Sequence, residues 1–160
     1  MGSTRNIVIR RYEKGDSKYL AEIYYHTIHN ICSNDYSHQQ INAWAPKSSL
    51  DPSSSMQKWE KILPFVATID KKIVGFLEFE NNGHIDCFYC HHKFTHIGIG
   101  KKLLETVEEF ANQNNIKRLY AEVSITARPF FEKQDFTLVK QQSVKLGDQK
   151  LTNFVMEKYL

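Results

Sequence analysis

The first regular texture along the chain is a short apolar, β-branched run at 7–12, IVIRRY, which predicts a strand. Behind it Leu20, Ile23, Tyr24, Thr27, Ile28 and Ile31 recur every three or four residues, the spacing of one helical face, and Asp16-Ser17 offers an N-cap. The chain then turns polar. The stretch SNDYSHQQINAWAPKSSLDPSSS holds one short helical pattern, at Ile41, Ala43, Trp44 and Ala45, followed by a loop. A further helix is predicted at about 54–63, carrying Trp59.

From Pro64 the period changes. PFVATID and KIVGFLEFE read as two strands joined at Asp70-Lys71-Lys72, a hairpin. Asn81-Asn82-Gly83 marks a second turn, and a strand at 85–90 follows. Leu103, Leu104, Val107, Phe110 and Ala111 then fall on one face of a helix expected over 98–115, with charges opposite. RLYAEVS reads as a strand and ARPFFEKQ as a short helix with Pro129 in its first turn. Two strands, at about 136–146 and 150–157, close the chain. The order β, two or three helices, β-β-β, α, β, α, β-β predicts a mixed α+β fold. With no linker and no repeat, residues 1–160 are expected to form one domain, with 1–6 disordered.

Composition narrows the function classes. At 160 residues, folding buries roughly 70% of the unfolded surface, so no staple is needed. A net charge of +3 with scattered basic residues lacks the dense basic face of a nucleic-acid binder. Three cysteines, an odd number, are no disulfide framework. The first residues carry no signal-peptide run, and no apolar stretch is long enough to span a bilayer. A cytoplasmic, reduced protein without membrane or nucleic-acid partners is the expectation.

Cys87, Cys90 and His91 spell C-x-x-C-H, the string of a c-type haem attachment site. Alternation along a strand sends residues three apart to opposite faces, so the two thiols are expected to diverge and to hold neither haem nor zinc. Phe88-Tyr89 between them are strand formers rather than turn residues. The expected metal content is none.

After this strand comes HHKFTHIGIGKKLLE. A strand, a glycine-containing turn and a helix make a ready anion site, because the first helical amides lack partners and the dipole is positive there. Lys101 and Lys102 add charge beside it. The run Gly98-Ile99-Gly100-Lys101-Lys102-Leu103-Leu104-Glu105 resembles the acetyl-coenzyme A motif of the GCN5-related N-acetyltransferase (GNAT) superfamily. Downstream, ITARPFFEKQDF looks like the family's later motif, and the first and last strands match its usual ends, so the resemblance covers about 7–158.

The resemblance implies a mostly antiparallel central sheet of about seven strands flanked by four or five helices. It implies acetyl-CoA as co-substrate, a primary amine of a small molecule or protein as acceptor, and a homodimer as a common assembly. Carried over, the amides of Thr95, His96, Ile97, Gly98, Ile99 and Gly100, with Lys101, would hold the pyrophosphate. Phe88, Tyr89 and Cys90 would lie along the pantetheine arm, paired to it as to an added strand, and Ser124 and Phe131 would border its thiol end. Thr95 stands where Gln or Arg is usual, and His96 where a glycine is common. Phe131 occupies the place of a tyrosine that often protonates the departing thiolate, and it cannot do so. A catalytically silent acyl-CoA-binding module is therefore the rival reading.

Acetyl transfer needs a base toward the amine and a donor toward the oxyanion. His84 and Asp86, two apart, are expected to share a strand face with Phe88 and Cys90. A charged aspartate in mid-strand points to a cleft, which makes Asp86 the first candidate base. His84 is the second, since its ordinary pKa of about 6.5 suits the task; Glu78 and Glu80 stand in reserve. In the variable region before residue 60, Tyr25, His29, Tyr36 and Trp44 are the expected acceptor-binding residues, because aromatic rings beside an acid suit a cationic amine.

Overall fold

The computed structural model describes residues 6–160. Of the six residues expected to be disordered, all but Asn6 lie outside the described residues. The elements are β1 (Ile7–Arg11), α1 (Ser17–Asn30), α2 (His38–Trp44), α3 (Ser53–Ile62), β2 (Phe65–Ile69), β3 (Lys72–Phe79) and β4 (His84–Cys90). They continue with α4 (Ile99–Gln113), β5 (Arg118–Ser124), α5 (Arg128–Lys133), β6 (Thr137–Leu146) and β7 (Gln149–Tyr159). Short 3-10 turns flank α2. The seven strands form one sheet in the order β1-β2-β3-β4-β5-β7-β6, and β4 with β5 is its parallel pair. The expected α+β architecture is the one observed.

Local chemistry explains most boundaries. Ser37 and Gln40 form a reciprocal capping box that starts α2. At the β2–β3 hairpin Asp70 and Lys71 both take positive φ, 48° and 69°, the twist that suits a two-residue hairpin turn. Asp16 departs from expectation. Its carboxylate does not cap α1 but accepts from the Glu13 amide and from the Arg10 guanidinium at 2.7 Å. The charge-assisted pair with β1 outcompetes the cap.

Three clusters fill the interior. The largest lies between one sheet face and α4 with α5: Ile99, Leu103, Leu104, Val107 and Ala111 of α4 pack on Leu77, Phe79 and Ile85. On the other face Leu20, Ala21 and Ile23 of α1 and Trp59 of α3 cover Val66, Ile73 and Phe76. A third cluster joins the end of α1 and α2 to Leu151 of β7. Each fully buried Leu, Ile or Phe contributes about 1.5–3 kcal/mol.

The parallel pair matters most for function. Strands β4 and β5 register only at His84–Tyr120 and Ile85–Ala121, after which they part. Gly83 closes the joined end: its carbonyl accepts from the Tyr120 amide, and a Cβ there would sit 2.0 Å from the Arg118 carbonyl oxygen. The open end faces the loop that precedes α4.

Candidate active site at the seam between β4 and β5

Strand β4 does not alternate evenly. Leu77 of β3 pairs with Phe88, but Phe79 pairs with Ile85, so two steps on β3 oppose three on β4. This bulge places one extra residue at 86–87 and changes which side chains share a face. Ile85, Phe88 and Cys90 pack toward α4, whereas Cys87 and Tyr89 pack toward α1 and α3. Asp86 also reaches α3, where its Oδ2 lies 2.8 Å from Lys58 Nζ. The expectation that His84, Asp86, Phe88 and Cys90 line one face is therefore corrected: Asp86 stands opposite Phe88 and Cys90. Simple alternation cannot see an inserted residue. The two thiols do separate, as expected.

The edge facing the seam carries backbone groups. The His91 amide donates to Val74 of β3 at 2.8 Å, so alternation turns the polar groups of Cys90 and Phe88 toward the gap and those of Tyr89 toward β3. The Cys90 carbonyl accepts from Thr27 Oγ1 at 2.8 Å. Tyr89, expected along the cofactor, instead pairs with β3 and meets Tyr24 of α1 edge-on at 5.2 Å. Burial pushes the Cys90 thiol up to about 12 and the Cys87 thiol well above its ordinary value, so both stay neutral.

On the α4 side the seam is aromatic. Phe88 meets Phe130 at 5.7 Å and Phe131 at 5.9 Å, both nearly perpendicular. Phe131 is buried and also contacts Phe136. Ser124 Oγ accepts from the Ala127 amide at 3.0 Å, which fixes the turn into α5.

The loop before α4 has the backbone of an anion cradle. His96 and Gly98 both adopt left-handed φ, 61° and 93°, the second being a value natural only to glycine. Lys102 is the first residue of α4 to close a helical bond, onto the Gly98 carbonyl, which leaves the Ile99, Gly100 and Lys101 amides without helical partners. A Cβ at Gly100 would lie 3.2 Å from the Phe130 ring, so a side chain there would crowd the channel between α4 and α5. Thr95, Ile97 and Lys101 are exposed.

The other face of the bulge is charged. Glu78 of β3 is 1% exposed, yet it carries a carboxylate. Its Oε1 lies 2.6 Å from Lys58 Nζ, as a charge contact rather than a directed hydrogen bond, and Trp59 Nε1 donates to its Oε2 at 3.2 Å. Burial alone would lower the Lys58 pKa, but the hydrogen bond to Asp86 and the close charge of Glu78 outweigh it and raise the value. Ligand atoms of Glu78, Asp86 and Cys87 lie within 4.8 Å of one another, and the Lys58 ammonium is the cation against the two carboxylates. Beside them a cavity of about 210 Å³ is lined by Tyr24, Ser54, Ser55, Lys58, Glu78 and Cys87. A larger cleft of about 490 Å³, between α1, the β2–β3 turn and His91-His92, contains neither Glu78 nor Asp86.

His84 is held at the joined end of the seam. Its Nδ1 lies 2.5 Å from Glu80 and its Nε2 2.9 Å from Glu122. Burial lowers its pKa, but the two carboxylates outweigh that and raise it. Carboxylates engage both ring nitrogens, which leaves neither turned toward an incoming amine.

Of the four expected acceptor contacts, Tyr25 and His29 lie on α1, and Tyr25, Tyr36 and Trp44 belong to the third cluster. Tyr25 stacks on His29 at 4.1 Å, and His29 Nε2 lies 2.8 Å from the Ala45 carbonyl oxygen. The Tyr36 hydroxyl donates to Thr152 and accepts from the Ile125 amide, with Trp44 edge-on at 5.4 Å. None of the four lines the cavity beside Glu78. Lys58 and Tyr24 do, and sequence reasoning missed both as site residues. Only a glutamate inside the apolar run KIVGFLEFE signalled that something must reach it.

Comparison with known proteins places these features in context. A family model described as an acetyltransferase (GNAT) domain matches residues 32–159. The chain is 35% identical over 151 residues to the uncharacterized N-acetyltransferase YafP of Escherichia coli K12, covering 94% of this chain and 95% of that one. Its fold is similar to a GCN5-related N-acetyltransferase from Rhodopseudomonas palustris, with a TM-score of 0.92, 26% identity and coverage of 100% and 99%. It is also similar in fold to the PaiA N-acetyltransferase from Thermoplasma acidophilum, solved in complex with coenzyme A, at a TM-score of 0.74, 21% identity and coverage of 97% and 99%.

Proposed function

We infer that this chain, which belongs to the GCN5-related N-acetyltransferase (GNAT) family of enzymes, moves the acetyl group of acetyl-CoA to a primary amine by direct attack on the thioester. Support for the donor comes from the residues at the seam. The unpaired helical amides and left-handed His96 and Gly98 fit a pyrophosphate, the missing Cβ of Gly100 leaves room, and the β4 edge at Phe88 and Cys90 fits an amide-bearing arm. When bound, acetyl-CoA supplies an activated acyl carbon at the seam.

The carboxylates on the opposite face suit the acceptor. Glu78, nearly inaccessible to solvent, attracts an ammonium and takes its proton as the amine attacks. Asp86, at the bulge, helps hold that ammonium. Tyr24, Ser54 and Ser55 bound the entry. His84, clamped by Glu80 and Glu122, keeps β4 joined to β5 rather than moving protons. The one observation that carries the reading is the bulge at 86–87, which puts the anion cradle and the carboxylate pair on opposite faces of one strand.

Phe131 offers no proton to the departing sulfur. A thiol of ordinary pKa about 8.5 leaves readily as thiolate, so turnover does not require an acid there. The same phenylalanine favours the second reading, a silent acyl-CoA-binding module. Free CoA release measured across polyamines, amino acids, aminoglycosides and peptides separates the two. Acetyl-CoA raises Tm in both cases, whereas only the enzyme releases thiol with an amine present.

A further inference from the structure

We propose that Lys58 is itself an acetyl acceptor, a self-modification site at the mouth of the acceptor cavity. The inference rests on the acetyltransferase reading and on four observations. The Lys58 amine lies 2.6 Å from Glu78 and 2.8 Å from Asp86, where an incoming acceptor amine would be held. Its side chain is 43% exposed, so it reaches in from α3 and is not locked in the core. Asp86 and Cys87 form the bulge beyond which β4 parts from β5, so this amine sits at the point where the seam opens. Finally, the cavity beside it, about 210 Å³, has Ser54, Ser55 and the rings of Tyr24, Trp59 and Phe76 among its walls and room for an acetyl group.

The step balances without a further reactant. The neutral amine of Lys58 attacks the thioester carbon, an N–C bond forms and the C–S bond breaks. The amine proton passes to Glu78 or Asp86 and on to solvent, and CoA leaves as its thiolate, which takes a proton back from solvent. The product is a neutral amide, which removes the counter-charge from a carboxylate buried to 1% exposure. Glu78 is then open to the ammonium of an external acceptor, so self-acetylation converts a closed carboxylate pair into an acceptor site. Since the two carboxylates raise the Lys58 pKa, the neutral amine is scarce near neutrality and modification quickens as pH rises.

The test is intact-mass and peptide-mass analysis of the full chain incubated with acetyl-CoA and no amine. Lys71 and Lys72, on the β2–β3 turn, serve as internal controls for uncatalysed acetylation. Positioning predicts acetylation of Lys58 at least about tenfold faster than of either control. Glu78→Gln abolishes that excess while leaving the control lysines at their wild-type rate. Lys58 left bare, or labelled no faster than Lys71 and Lys72, overturns the proposal. CoA release on the amine panel is scored in parallel. Turnover with Lys58 bare sinks only the self-acetylation, whereas no release with any amine and no label on Lys58 sinks the catalytic reading as well.

Discussion

The two faces of β4 carry opposite chemistry. Toward α4 and α5, Ile85, Phe88 and Cys90 pack into the apolar cluster, with Phe88 against the Phe130 and Phe131 rings. Toward α1 and α3, Asp86 and Cys87 meet Glu78 and Lys58 beside the smaller cavity. An evenly alternating strand would have put Asp86 among the phenylalanines, where an ionised carboxylate costs several kcal/mol. One inserted residue moves it to the face where a cation waits. The difference teaches that a local defect in a strand, rather than a domain boundary, separates the apolar face from the charged one.

The largest effect is expected where both faces are broken at once. Gly83→Ala forces a Cβ to within 2.0 Å of the Arg118 carbonyl oxygen at a φ of 96°, so β4 and β5 must separate at their joined end. We expect a loss of about 3 kcal/mol in urea unfolding, with acetyl-CoA affinity falling together with stability. Wild-type stability would mean that the seam is not anchored at Gly83.

Next come changes confined to one face. Gly98→Val places a branched side chain at a φ of 93°, costing about 1–2 kcal/mol of local strain. Acetyl-CoA binding, read by calorimetry, should weaken about tenfold, the equivalent of 1.4 kcal/mol, while the KM for the amine is kept. Asp86→Asn works on the opposite face. It should lower kcat/KM for the amine about tenfold, with the acetyl-CoA Kd unchanged, since one charged hydrogen bond to the ammonium is lost. A matching loss of acetyl-CoA affinity in Asp86→Asn would erase the distinction between the faces.

The smallest effect belongs to His84, at the joined end. Its folded pKa is raised, so its contribution to stability is complete below the ordinary histidine value and fades as pH rises through the folded value. The wild type should therefore lose Tm as pH rises above the ordinary histidine value of about 6.5, relative to His84→Gln, with turnover per folded molecule unchanged. Identical Tm profiles for the two proteins would remove the clamp.

Much of this was legible in the sequence. Period-two runs and the Leu103, Leu104, Val107, Phe110, Ala111 stripe predict strands and α4 closely, because burial dictates those patterns. His96 stands where a glycine is common, and its φ of 61° is in the left-handed region that favours glycine. The bulge was not legible, because nothing in HIDCFYC distinguishes an extra residue from a regular one. Nor was Lys58, which meets Glu78 and Asp86 from 20 and 28 residues away through the packing of α3. Asp16 shows the same limit, since a cap visible locally loses to Arg10 across a turn. Pairings set by tertiary packing decide the chemistry, and local pattern carries little of them.

The most direct measurement is the steady-state kinetics of Glu78→Gln beside its acetyl-CoA binding isotherm. Replacing the buried carboxylate by an amide of the same shape should cut kcat/KM for the amine by roughly 10²–10⁴. The acetyl-CoA Kd should stay within about twofold, since the cradle lies on the other face of β4. Wild-type turnover in Glu78→Gln would contradict the account, as would a loss of activity traced wholly to weaker acetyl-CoA binding.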